Sequence, residues 1–76
     1  MAHKNFRKED FAKIEGSDLY QVEFRKGEIG EGSNLVVERQ TQNDEYENLQ
    51  AEIRRHNDRI FICWSEPFNG RVIFDE

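Results

Sequence analysis

The sequence has few of the residues that small domains use to reinforce themselves. It contains one cysteine, Cys63, one proline and two histidines among 76 residues. A single cysteine excludes a disulfide within the chain, and so few cysteines and histidines exclude a structural zinc site of the usual kind. Because small domains without disulfides are typical of reducing compartments, the composition favours a cytoplasmic protein, in a cell or in an infected host cell.

Long apolar stretches are also missing. No hydrophobic run approaches the length of a membrane span, and the basic, polar start of the chain lacks the apolar segment of a signal peptide. We therefore expect no membrane association. A chain of 76 residues has room for one domain, 1–76, and little room for an enclosed pocket or a bulky cofactor.

Groups suited to catalysis are sparse. A nucleophilic cysteine needs an adjacent base, but His3 lies near the start of the chain and His56 at a predicted helix end. Cys63 lies among large apolar residues, which keep a thiol protonated. The spacings of a phosphate-binding glycine loop and of a calcium loop are both missing. The sequence therefore predicts a protein that is not an enzyme and holds no cofactor or metal.

Short apolar patterns are what the chain does contain. Tyr20, Val22 and Phe24 alternate with polar residues, as in a half-buried strand. Similar patterns and β-branched residues predict further strands. The predicted strands span 19–25, 35–40, 60–65 and 71–75. Since the segment 60–65 is apolar on both faces, we expect it to be the central, most buried strand.

Two other segments have helical spacing. Phe11 and Ile14 lie three residues apart, and Gly16 follows where a helix C-terminal cap is favoured, which predicts a short helix over 5–15. A longer helix is predicted from Thr41 or Asn43 to about residue 56. Its apolar stripe consists of Tyr46, Leu49, Ile53 and His56.

These elements predict a small α+β domain in the order α-β-β-α-β-β. Two hairpins would form a four-stranded antiparallel sheet packed against one main helix. Residues 1–5 are predicted to be a loose N-terminal tail. The glycine-containing segment 26–34 is predicted to be a flexible hairpin loop, and 66–70 a turn.

The charge balance directs the functional hypothesis. The net charge is −5, and residues 14–38 carry −4 of it, because their six acids face only Arg25 and Lys26. This balance disfavours phosphate backbones and favours a protein partner with a basic surface. The first hypothesis is a non-catalytic acidic interaction module, a regulator or inhibitor. By analogy of size and charge, it extends to phage or mobile-element inhibitors of a host nucleic-acid enzyme or defence complex.

The predicted contact residues combine acids of the first hairpin with two aromatic anchors. They are Glu23, Glu28, Glu31, Glu38, Phe68 and Trp64. Phe68 is expected to be exposed because it lies at the tip of a turn. An apolar patch involving Phe61, Trp64 or Ile73 is expected on the sheet face opposite the main helix. Either the first helix covers this patch or a partner does, and a homodimer is one such arrangement.

The alternative hypothesis is a small RNA- or single-stranded-DNA-binding module. Arg54, Arg55 and Arg59 cluster in the sequence near the end of the predicted second helix, and aromatic residues of the sheet would stack on bases. The competing interpretation is that the arginines neutralise the helix C-terminus while the aromatics fill the core.

Overall fold

Extended segments dominate residues 2–30 and 35–74, which are the part of the chain that the computed structural model describes. The strands are β1 (Ala2–Phe6), β2 (Ala12–Lys13), β3 (Tyr20–Arg25), β4 (Val36–Gln40), β5 (Tyr46–Asn48), β6 (Glu52–His56), β7 (Arg59–Trp64) and β8 (Gly70–Phe74). They form two antiparallel four-stranded sheets. Sheet A has the strand order β1-β8-β4-β5, and sheet B has the order β2-β3-β7-β6.

The four strands predicted from alternation are confirmed. They correspond to β3, β4, β7 and β8, with boundaries that differ by about one residue, and Asp75 lies outside the described residues. The segment predicted to be most buried is β7, which lies between β3 and β6. Ile60 and Ile62 of this strand are fully buried. A central strand that pairs on both sides is recognisable from such a continuous apolar run.

The α+β prediction is wrong, because both predicted helices are replaced by extended structure. Among the described residues, the one α-helix is α1, which has four residues (Lys26–Ile29) and lies in the segment predicted to be a loop. It forms there because Ile29, 1% exposed, is buried in the core. Gly32 and the rest of 31–34 lie outside the described residues.

The start of the chain is neither a loose tail nor a helix. Residues Ala2–Phe6 pair with β8 along their whole length, and a 3-10 turn (Lys8–Asp10) and β2 follow. The physical reason is aromatic burial. Phe6 is 4% exposed, and its ring centroid lies 5.7 Å from that of Phe11 in an edge-on contact. Extended backbone brings both rings to the same cluster.

The long predicted helix is instead two strands. Residues 41–45 form a hairpin loop in which the Thr41 N–H donates to the Glu45 carbonyl oxygen at 2.7 Å. Asp44 adopts a left-handed backbone conformation (φ 60°), which aspartate tolerates better than most residues. In β6, Ile53 lies opposite Ile62 and contributes to the core while Glu52 and Arg54 are exposed. The period in β6 is therefore 2, although the same apolar residues also fit a helical stripe.

The predicted hairpin pairing is wrong as well. β3 pairs with β7 in sheet B, and β4 pairs with β8 in sheet A. The two sheets bury their inner faces against each other. Sheet A contributes Phe6, Val37 and Val72 to the core, and sheet B contributes Val22, Phe24, Ile60 and Ile62. A sheet with one apolar face must cover it, and here a second sheet does so instead of a helix.

Face-to-face packing leaves each sheet with one outer face. Face A is the set of outward side chains of sheet A: His3, Asn5, Val36, Glu38, Gln40, Tyr46, Asn48, Arg71 and Ile73. Face B is the corresponding set of sheet B: Ala12, Gln21, Glu23, Arg25, Glu52, Arg54, His56, Arg59, Phe61 and Cys63. These assignments follow from the pairing registers, because side chains of paired residues point to the same side of a sheet.

Candidate interaction surface

Face A is depleted of charge. Of its nine outward side chains only Arg71 and Glu38 are formally charged, with histidine neutral, whereas charged residues make up 36% of the whole chain. The two charges pair with each other: Arg71 Nε donates to Glu38 Oε1 at 2.6 Å. Five of the ten side chains on face B are charged. Depletion of charge is a property of the cores of protein–protein interfaces.

Three strands hold Arg71 in place at the middle of face A. The guanidinium carbon lies 3.8 Å from the ring centroid of Tyr46, and Glu38 lies directly opposite Arg71 on β4. The side chains of Arg71 and Glu38 are 29% and 17% exposed. A cation–π contact and a charge-assisted hydrogen bond together fix the position of a long side chain. Arg71 is therefore ordered before any partner arrives, which lowers the entropic cost of binding.

Two aliphatic residues, Val36 and Ile73, form a row beside Arg71, which we call the aliphatic row. Val36 is 39% exposed and is the one large hydrophobic residue classed as exposed within the described ranges. It lies opposite Ile73, which in turn lies opposite His3. A shallow hollow of about 190 Å³ is lined by Ala2, His3, Arg71 and Ile73. Such a row offers apolar contact area directly beside a fixed hydrogen-bond donor.

A polar groove lies on the other side of Arg71. Its volume is about 300 Å³, and its lining residues include Asn5, Gln40, Tyr46 and Asn69 together with the charged residues Arg7 and Glu9. Amide groups both donate and accept hydrogen bonds, so the groove suits a polar backbone or side chain of a partner. Because Asn5, Gln40 and Tyr46 belong to face A, the groove, the arginine and the aliphatic row form one continuous surface.

The acids predicted to form one binding surface are not brought together. Glu23 lies on face B and Glu38 on face A, because β3 and β4 belong to different sheets. Glu28 lies on α1, and Glu31 lies outside the described residues. Each of the three described acids pairs with a basic residue. The pairs are Glu23–Arg59, Glu28–Lys4 and Glu38–Arg71.

The aromatic anchors are buried to different degrees. Phe68 is 6% exposed, and its ring centroid lies 5.3 Å from that of Phe6. The expectation that it is exposed is wrong, because its turn lies beside an aromatic cluster that the ring completes. Trp64 packs partly buried against the core. The expected single patch does not form, since Phe61 lies on face B and Ile73 on face A.

The predicted arginines lie on a hairpin and not at a helix end, so neutralising a helix C-terminus is not their role. Arg54 and Arg59 lie on face B, where Arg54 pairs with Glu52 and Arg59 with Glu23. Arg55 lies opposite Ile60 on the other side of β6. The pairing register, which the sequence did not reveal, decides which of these arginines share a surface.

Cys63 is a free thiol that is 1% exposed. Burial raises the pKa of the Cys63 thiol, with Arg54 and Glu52 acting in opposite directions as smaller contributions. A protonated thiol is a poor nucleophile. In the described part of the chain, no group of three or more His, Cys, Asp or Glu side chains is placed to hold a metal ion.

Comparison of the chain with protein-family models, curated proteins and solved structures gives no match. Within residues 2–30 and 35–74, no helical segment has the length and apolar character needed to cross a lipid bilayer.

Sequence reasoning missed face A. The alternation within β4 and β8 was visible, but Tyr46 and Asn48 were placed in a helix. The stacked pair joins Tyr46 on β5 to Arg71 on β8 across the intervening strand β4. It becomes apparent only once the strand order and register are known.

Proposed function

We propose that the protein is a non-catalytic module that binds another protein through face A. The observation that carries this proposal is the charge-depleted sheet face, with Arg71 held by Glu38 and Tyr46 beside exposed Val36. Arginine and tyrosine are enriched at the centres of protein interfaces, where a few residues supply most of the binding free energy.

The arrangement also limits the cost of burying a charge. When a partner covers Arg71, its guanidinium keeps the hydrogen bond to Glu38 and the contact with Tyr46. A buried charge that loses its partner is strongly destabilising, whereas a paired one is not. Arg71 therefore suits a position at the centre of a contact, where water is excluded.

The proposed partner has a basic surface. The chain carries a net charge of −5, while face A itself is close to neutral. Acids elsewhere on the molecule attract a basic protein at long range, and face A makes the short-range contacts. A regulator or inhibitor acting in the cytoplasm fits this division, and the lone cysteine supports a reducing compartment. Inhibition of a nucleic-acid enzyme fits as well, because such enzymes present basic surfaces.

The test is affinity capture from the source cells with matched variants. Val36→Asp places a charge in the aliphatic row at an exposed position, so the fold should be retained, which circular dichroism checks. We expect Val36→Asp to lower recovery of the partner about tenfold, as expected for an interface centre. Arg54→Gln, on the opposite outer face, should leave recovery unchanged.

Two results would contradict the proposal. One is recovery that is unaffected by Val36→Asp and by Arg71→Gln. The other is recovery of only the chain itself, because a second copy carries the same negative charge and is not the basic partner proposed here.

A further inference from the structure

Face B carries three cationic or protonatable side chains in one row. The register of β3 with β7 places Arg25 directly opposite Arg59, and the register of β6 with β7 places His56 directly opposite Arg59. All three residues are exposed. Directly opposed residues in an antiparallel pair have Cβ atoms about 4.5–5.5 Å apart. Two guanidinium groups are thus attached side by side on neighbouring strands.

Such a row is unfavourable by itself. Like charges directly opposite each other destabilise a sheet, and a local rule broken without compensation points to function. The acids nearby compensate incompletely. Glu23 approaches Arg59 only to 3.5 Å, with both side chains about half exposed. Glu28, which interacts with Arg25, also pairs with Lys4.

The surroundings of the row favour a phosphate ligand. Each guanidinium fork matches the oxygens of one phosphate group, which it binds in a bidentate manner. Arg54 lies on the same face, one row away, beside Phe61. The backbone N–H of Lys26 donates to the Asp58 carbonyl at 2.8 Å, which brings a further lysine to the same end of the sheet. Four of the eleven basic residues of the chain are therefore at or next to this row.

We propose that face B binds single-stranded nucleic acid, with Arg25, Arg59 and His56 contacting the phosphate backbone and Phe61 contacting a base. The site lies on the opposite outer face from the proposed protein contact and goes beyond that function. An open sheet surface with an aromatic ring beside basic side chains suits a flexible strand, because each base has a face to stack and each phosphate a charge to pair. The net charge of −5 weakens long-range attraction, so we expect dissociation constants of about 10⁻⁶ to 10⁻⁴ M at low salt.

The experiment titrates a fluorescent single-stranded oligonucleotide with the purified protein at several salt concentrations. Contact with two phosphates predicts a slope of about −1.4 for log Kobs against log salt, at about −0.7 per phosphate. Arg25→Gln should weaken binding at least about fivefold and halve the slope. Lys13→Gln removes the same charge from the other end of sheet B and should change affinity less than about twofold.

Folding of the variant is checked by thermal unfolding. Because Arg25→Gln removes a like-charge contact, its midpoint temperature should equal or exceed that of the unsubstituted protein by about 1–5 °C. A lower midpoint temperature would contradict the unfavourable row on which the proposal depends.

Three binding results would overturn the proposal. The first is that anisotropy does not change at low salt. The second is that Lys13→Gln and Arg25→Gln lose affinity equally. The third is that inorganic tripolyphosphate binds as tightly as the oligonucleotide. The last would identify a site for free phosphate and not for a strand. None of these results bears on face A, so failure here leaves the proposed protein contact intact.

Discussion

Gly70 lies where the backbone of β8 closely approaches that of β4. A Cβ atom added there would overlap the Glu38 carbonyl oxygen and would lie 3.2 Å from ring atoms of both Phe6 and Phe68. The glycine therefore lets β8 pass between β1 and β4 while two rings close over it. At Gly27, by contrast, an added Cβ meets nothing within 4 Å.

Replacing each of these two glycines by alanine should change the stability of the protein in opposite directions. Gly70→Ala should lower the free energy of unfolding by about 1–3 kcal/mol, because backbone must move to relieve the overlap. Gly27→Ala should raise it by up to about 1 kcal/mol, since alanine favours helix. Urea unfolding followed by circular dichroism measures both. Equal, small effects at the two positions would show that β8 does not pass so close to β4.

For single residues, burial could be predicted only where neighbouring residues in the sequence indicated it. The burial of Cys63 was predicted, because apolar residues flank it on β7. The burial of Phe68 was not predicted. Its ring contacts Phe6 and Phe11, and the local sequence, a turn with proline, asparagine and glycine, does not indicate these contacts. Local sequence patterns do not indicate contacts between residues that are distant in the sequence.

At the scale of elements, the N-terminal strand is tied to the rest of the molecule by more than its pairing with β8. Lys4 of β1 forms an ion pair with Glu28 of α1, 24 residues further along the chain. Glu28 also accepts a hydrogen bond from the Arg25 N–H at 3.1 Å. These hydrogen bonds, first that from Lys4, lower the pKa of Glu28.

This pKa shift predicts a pH dependence. Because the folded-state pKa of Glu28 lies below its unfolded-state value, its ionised form stabilises the fold above the unfolded-state pKa, and that stabilisation is lost as pH falls through the folded-state pKa. Glu28→Gln should therefore lower the free energy of unfolding by less than about 1 kcal/mol at neutral pH, since the pair is exposed. The difference should vanish once the pH is below the lowered pKa. Urea unfolding at both pH values measures it.

Glu66→Gln, at an exposed turn position, is the control for that measurement. A loss of stability in Glu28→Gln that persists unchanged in acid would show that Glu28 does not act through its charge.

Element type was predictable only where the apolar pattern had one interpretation. Alternation in 19–25 and the doubly apolar run 60–65 admit a strand alone. The apolar residues of 46–56 fit a helical stripe, yet a strand also buries Ile53. The strand prevails because the edges of β4 and β7 need partners for their backbone N–H and C=O groups, and β5 and β6 supply them. That requirement arises from the whole sheet and not from the segment.

At the scale of the whole molecule, the two-sheet arrangement decides which residues share a surface. Sequence neighbours such as β3 and β4 go to different sheets, so the acidic segment is divided between opposite faces. Residues from three distant strands meet instead as Arg71, Glu38 and Tyr46. The sequence allows a binding module to be proposed but does not indicate which surface it would use, because the choice of strand partners is non-local.

We propose that face A, and no other surface, contacts a protein partner. The most direct measurement is site-specific photocrosslinking in the source cells, with a benzophenone amino acid at position 36 on face A or at position 54 on face B. We expect one discrete protein adduct from position 36 and none of that mass from position 54. Absence of an adduct at position 36, or the same adduct from both positions, would contradict it.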